Sequence, residues 1–191
     1  MRLRLNEKVI CIEESAVIVL FVCLLSKIAR EYLSNYYLCF LFITFHELSH
    51  ITIAVLFGGS VKRVNIRISG LSVNILKNFS GIRAVLVYLA GPLSNIILAM
   101  LFRNIDIIFE INMCLALINL VPIKPLDGYN ILNVILDIII SRKTKNMVLK
   151  IVSIIAEIML IFLSVLLIVK YCNISLIILL LYIKIINLKS A

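Results

Sequence analysis

The chain has 191 residues, 63% of them hydrophobic and 15% charged, with a net charge of +9 and a mean hydropathy of +1.15. A soluble domain is close to half apolar, so this composition excludes an ordinary water-soluble protein and calls for lipid around the chain. The cations lie between apolar runs, where they set orientation in a bilayer, and nucleic acid is not an expected partner.

A spanning helix needs about 20 mostly apolar residues. Six runs are read as spans, with no internal repeat. The first covers about residues 15–30 and is short, with Lys27 near one end. No small-residue cleavage site follows it, so it is read as a retained helix rather than a signal peptide. The second covers about 36–57. A polar stretch, 58–81, follows, with glycines at 58, 59, 70 and 81. Within it, Val61, Val64, Ile66 and Ile68, then Leu71, Val73 and Ile75, alternate partly around Ser69-Gly70. That period of two fits a short hairpin at the membrane surface, and an irregular loop is the alternative.

The third span is about 82–102. The fourth region starts near Ile105, is broken at Pro122 and Pro125, and resumes from Gly128 to Ile140. The fifth and sixth are about 147–169 and 174–188. The expected class is an all-α polytopic membrane protein with a broken fourth helix and a small surface hairpin. One transmembrane domain is expected over 1–191, with its core at about 36–140.

Loop charge sets the topology. Stretch 58–83 carries Lys62, Arg63, Arg67, Lys77 and Arg83 and no acid, and 141–150 carries Arg142, Lys143, Lys145 and Lys150 and no acid. Positive loops stay cytoplasmic, so both termini are expected inside. The five cysteines (Cys11, Cys23, Cys39, Cys114, Cys172) form no C-x-x-C pair and read as small packing residues rather than a disulfide framework.

The second span contains His46-Glu47-Leu48-Ser49-His50, an H-E-x-x-H pattern. Residues four apart share one helix face. Two imidazoles so placed can bind one zinc ion, with the glutamate beside them as a base for water. These are the only two histidines in the chain. Two random histidines at this spacing with a glutamate after the first arise by chance in roughly 0.04% of such chains, well below the usual risk of a short motif. Ionisable side chains at bilayer depth mark function by default.

A catalytic zinc needs a third protein ligand. Asp127 lies between Pro125-Leu126 and Gly128. Such helix breaks persist at membrane depth only where protein or a wet cavity covers them, which makes Asp127 the leading choice. Glu110 and Glu157, in unbroken apolar helix, are the alternatives. Asp106 lies near a helix end, and Asp137 lies where it faces either a loop or the bundle.

Three motifs, in this order, resemble the site-2 protease family of intramembrane zinc proteases. They are His46-Glu47-Leu48-Ser49-His50, Ala90-Gly91-Pro92-Leu93-Ser94-Asn95, and the run from Asn119-Leu120-Val121-Pro122 through Pro125-Leu126-Asp127-Gly128. The layout looks most like the compact sporulation-type branch, and the likeness spans about 36–140. Ser49 stands where a glycine is commoner, and its small size leaves helix packing intact.

The resemblance implies that His46, His50 and Asp127 hold Zn2+, that Glu47 is the general base, and that Asn119 positions the substrate backbone. It implies hydrolysis of membrane-associated regulatory proteins, such as a pro-sigma or anti-sigma factor, bound as an extended strand. The hairpin at 61–76 would offer an edge for that strand. No PDZ-like insert or nucleotide-sensing domain is visible, so any regulation would come from a separate membrane partner. The rival readings are a catalytically inactive client-binding protein and a zinc transporter. The second fits poorly, because transporters repeat their sites along a path and this chain offers one cluster.

Overall fold

The computed structural model describes residues 2–5, 8–12, 27–67, 70–75 and 79–190. They form strands β1 (Arg2–Leu5), β2 (Lys8–Ile12), β3 (Val61–Arg67) and β4 (Gly70–Ile75). The helices are α1 (Lys27–Leu56), α2 (Gly81–Leu101), α3 (Asp106–Asn119), α4 (Asp127–Ile139), α5 (Arg142–Tyr171) and α6 (Ser175–Ser190). The chain divides into two compact units, Met1–Leu117 and Ile118–Ala191.

In the first unit, α1 is one continuous helix. The expected break between residues 30 and 36 is absent, because 27–56 contains neither glycine nor proline. Most of the expected first span at 15–30 lies outside the described residues. Polar groups inside α1 turn back on their own backbone. Thr44, Ser49 and Thr52 each donate Oγ–H to the carbonyl four residues earlier, at 2.8 Å. That satisfies hydroxyls where water is scarce. The helix stops at Gly58, whose φ of 79° is left-handed. Gly58 N–H donates to Val55 O and Gly59 N–H to Ala54 O, both at 2.8 Å, the pairing of a Schellman cap.

The hairpin expected at 61–76 forms, with Val64 opposite Val73 and Ile66 opposite Leu71. It belongs to a larger sheet, because β1 and β2 extend it to the order β1-β2-β3-β4. The β2–β3 pairing is parallel, Val9 facing Arg63. The two amino-terminal strands were not expected. Their signal is the alternation Arg2-Leu3-Arg4-Leu5, and their pairing reaches across more than fifty residues. Strand β3 is flanked on both sides, so β4, which lies beside α1, is the edge the hairpin leaves open among the described residues.

The fourth region breaks as expected, into α3 and α4. In the second unit, the segment between them is folded on itself: Ile123 N–H donates to Val121 O at 2.8 Å and Leu126 N–H to Ile123 O at 2.9 Å. Ile123 is buried, 1% exposed. Ser153 of α5 donates Oγ–H to the Pro122 carbonyl at 2.7 Å, covering a carbonyl that the break releases. The cationic stretch 141–150, expected as a loop, is the first part of α5, and the turn before it is reduced to Ile140 and Ser141.

Among the described residues, three helices are long and apolar enough to cross a membrane: Tyr37–Leu56, Gly81–Leu101 and Arg142–Tyr171. Away from their cationic ends, their exposed positions are mostly leucine, isoleucine, valine, methionine and phenylalanine, among them Leu41, Phe45, Ile97, Ile158 and Phe162. Lipid covers such faces at no cost, so this is an integral-membrane fold. The helical class with a surface hairpin agrees with the sequence reading.

Candidate metal centre

The first unit brings His46 and His50 together on one face of α1. His46 is buried, 4% exposed, and His50 is partly buried. Their Nε2 atoms lie 3.2 Å apart, and the rings meet edge to face. Each ring is held from behind. His46 Nδ1 lies 2.7 Å from Asn95 Oδ1, and His50 Nδ1 lies 2.6 Å from the Val87 carbonyl. A carbonyl can only accept, so His50 carries its proton on Nδ1. The same holds for His46 where Asn95 presents its oxygen. Both rings then turn Nε2 toward each other.

A proton or a metal ion between the two nitrogens satisfies that arrangement. Two nitrogens bound to one tetrahedral zinc at about 2.0–2.1 Å lie about 3.3–3.4 Å apart, close to the separation here. The donor set therefore fits a zinc ion. Helix α2 supplies the wall. A Cβ built on Gly91 would lie 2.6 Å from His46 Nε2 and also clash with His50 Nε2, so glycine is required there to leave room at the ligand atoms. One residue on, Pro92 has no N–H and deletes a rung of the helix.

Glu47 follows His46 on α1 and is half-buried. His46 lies 9 and 10 residues from the two ends of the span Tyr37–Leu56. At ~1.5 Å per residue the site is about 14 Å from either end. Asp127 is in the second unit, as the first residue of α4. Its position is fixed locally. A Cβ on Gly128 would run into the Leu120 and Val121 carbonyls, so the start of α4 is seated against the chain that follows Asn119. Asn119 is the last residue of α3.

The other acids have different surroundings. Glu157 pairs with Lys184 at 3.7 Å, and Asp137 with Lys145 at 2.6 Å. Asp106 and Glu110 are exposed. Four contributors to this site had no role in the sequence reading: the Val87 carbonyl, the bare Gly91, Asn95 and Asn112. The asparagines carried a signal, since an amide in an apolar run must be paired. The carbonyl carried none.

Residues 103–166 match peptidase family M50. No curated protein sequence matches the chain. Among solved structures, the site-2 protease from Methanocaldococcus jannaschii matches with a TM-score of 0.60 and 19% identity, over 96% of this chain and 91% of that one. The fold is that of a site-2 protease, and the resemblance carried by the three motifs is borne out.

Proposed function

We propose that this chain is an intramembrane zinc metalloprotease that hydrolyses peptide bonds of membrane-associated proteins. The observation that carries the reading is the convergence of His46 and His50 Nε2 on a space that Gly91 keeps open, with Glu47 next in the chain. Zinc would be held by the two imidazoles and by Asp127, whose assignment rests on its motif and on the likeness to the site-2 proteases. When bound, the ion supplies a Lewis acid that acidifies water and polarises a peptide carbonyl.

Glu47 accepts the proton of the attacking water and passes it to the leaving amine. The His46 and His50 rings are pinned at Nδ1, so they hold their geometry while charge develops. Asn119 holds the substrate backbone. An extended substrate adds to the open edge of β4, whose unpaired main-chain groups provide the hydrogen bonds. A helical substrate hides its carbonyls, so it unwinds before it is cut. The chain crosses the membrane several times with its termini on the cytoplasmic side, a topology supported by the loop cations. The substrates are regulatory proteins such as a pro-sigma or anti-sigma factor, and a separate membrane protein regulates access.

Zinc content per chain of detergent-purified protein tests the reading. One zinc in the wild type, lost in both His46→Ala and Asp127→Ala, is the expected result. Metal retained in Asp127→Ala would move the third ligand elsewhere, with Glu110 and Glu157 the next to replace. No specific zinc in the wild type after reconstitution would sink the enzyme reading in favour of a client-binding protein.

A further inference from the structure

The buried polar groups behind His46 form a chain that ends on the backbone. His46 Nδ1 meets Asn95 Oδ1 at 2.7 Å. Asn95 Nδ2 donates to Asn112 Oδ1 at 3.1 Å. Asn112 Nδ2 donates to the Ile108 carbonyl at 2.9 Å. Both asparagines are fully buried, 0% exposed. The three side chains belong to α1, α2 and α3, so one line of hydrogen bonds crosses three helices.

The last acceptor decides the direction of every bond before it. The Ile108 carbonyl cannot donate, so Asn112 must turn its NH2 toward it and its oxygen toward Asn95. Asn95 must then donate to Asn112 and present its own oxygen to His46. His46 is left with one arrangement, a proton on Nδ1 and a lone pair on Nε2. An amide flip at either asparagine would set oxygen against oxygen in a buried site, where an unmet polar group costs about 1–3 kcal/mol.

We propose that Asn112 is a positioning residue for the metal centre: acting through Asn95, it sets the tautomer and ring orientation of His46. Asn112 lies in none of the three motifs. The inference rests on the zinc-protease reading, and it concerns a state of the ring that exists before any metal binds. Partners behind a ligating histidine typically change metal affinity by about 10–100-fold when removed.

The chain has two histidines, so protein labelled with 15N-histidine shows four ring nitrogens. The experiment uses metal-free protein in detergent at about pH 8, above the usual imidazole pKa of about 6.5. In the wild type both rings are expected as the Nδ1–H form. In Asn112→Leu, His46 is expected to gain Nε2–H form while His50, held by the Val87 carbonyl, stays unchanged as an internal control. Zinc affinity by chelator competition is expected to fall about 10–100-fold. Asn112→Asp, held protonated by its burial, still accepts from Asn95 and donates to the Ile108 carbonyl, and is expected to restore both. If Asn112→Leu does not fold, Asn112→Ala takes its place.

A wild-type His46 in the Nε2–H form would overturn the proposal. So would an Asn112→Leu protein with the wild-type tautomer and zinc affinity. Failure of the protease reading is separate, because it would appear as a wild type that binds no zinc with its histidine spectrum intact.

Discussion

Replacing Gly91 with alanine tests the geometry of the centre most directly. In most helices this change stabilises by about 0.5–1 kcal/mol, because alanine loses less backbone freedom. Here the added methyl would lie 2.6 Å from His46 Nε2 and 2.7 Å from His46 Cε1, and it would also overlap His50 Nε2. Ordinary contact needs about 3.5 Å, so the rings must retreat by about 1 Å. They have little freedom to do so. His46 is tied to Asn95 at 2.7 Å and His50 to Val87 O at 2.6 Å. Breaking either buried bond costs about 1–3 kcal/mol, and the methyl also takes up space beside the two Nε2 atoms. The expected loss is about 3 kcal/mol of zinc binding, or ~100-fold in affinity. Competition against a chromophoric chelator would measure it, with a thermal melt alongside. A Gly91→Ala protein that binds zinc within about 3-fold of wild type, a difference of about 0.7 kcal/mol, and melts higher would refute the reasoning.

Three other variants separate the roles. Glu47→Gln keeps the imidazoles and is expected to retain zinc while cleavage of a reconstituted single-span reporter falls by about 10²–10⁴; unchanged cleavage would assign the base elsewhere. Asn119→Ala is expected to keep both zinc and fold and to lower cleavage about 10-fold, the signature of a lost substrate contact; loss of zinc instead would show that its role is to seat the metal ligands. Ser153→Ala removes the donor to the Pro122 carbonyl, at a cost of about 1–2 kcal/mol. In a chain of this size that is a drop of about 2–8 °C in thermal midpoint, and an unchanged midpoint would mean that water replaces the hydroxyl.

Much of this architecture could be read from the residues. The histidine pair at a spacing of four, the break at Pro122 to Gly128 and the hairpin around Gly70 are all local patterns, and each is borne out in the fold. What escaped was nonlocal. Strand β2 pairs with β3 across more than fifty residues, and no local pattern specifies that partner. The cationic start of α5 looked like a loop because charge was read before propensity, although lysine and arginine are good helix formers. Gly91 was noticed as a motif letter, but the reason for it is a close approach between two helices. Asn112 was passed over inside an apolar run, where the cost of burying an amide should have raised the question of its partner. Asp127 and Asn119 rest on their motif, since their roles concern chemistry rather than local folding.

The asparagine pair behind His46 has a consequence for proton traffic. A line of waters or hydroxyls can conduct, because each member can take a proton on one side and release one on the other. An amide holds both hydrogens on nitrogen and offers only oxygen in return, so Asn95 and Asn112 orient the ring without forming a wire. The line ends on a peptide carbonyl, which has no proton to give. The buried side of His46 is therefore insulated, and in the proposed hydrolysis protons would enter and leave on the Glu47 side.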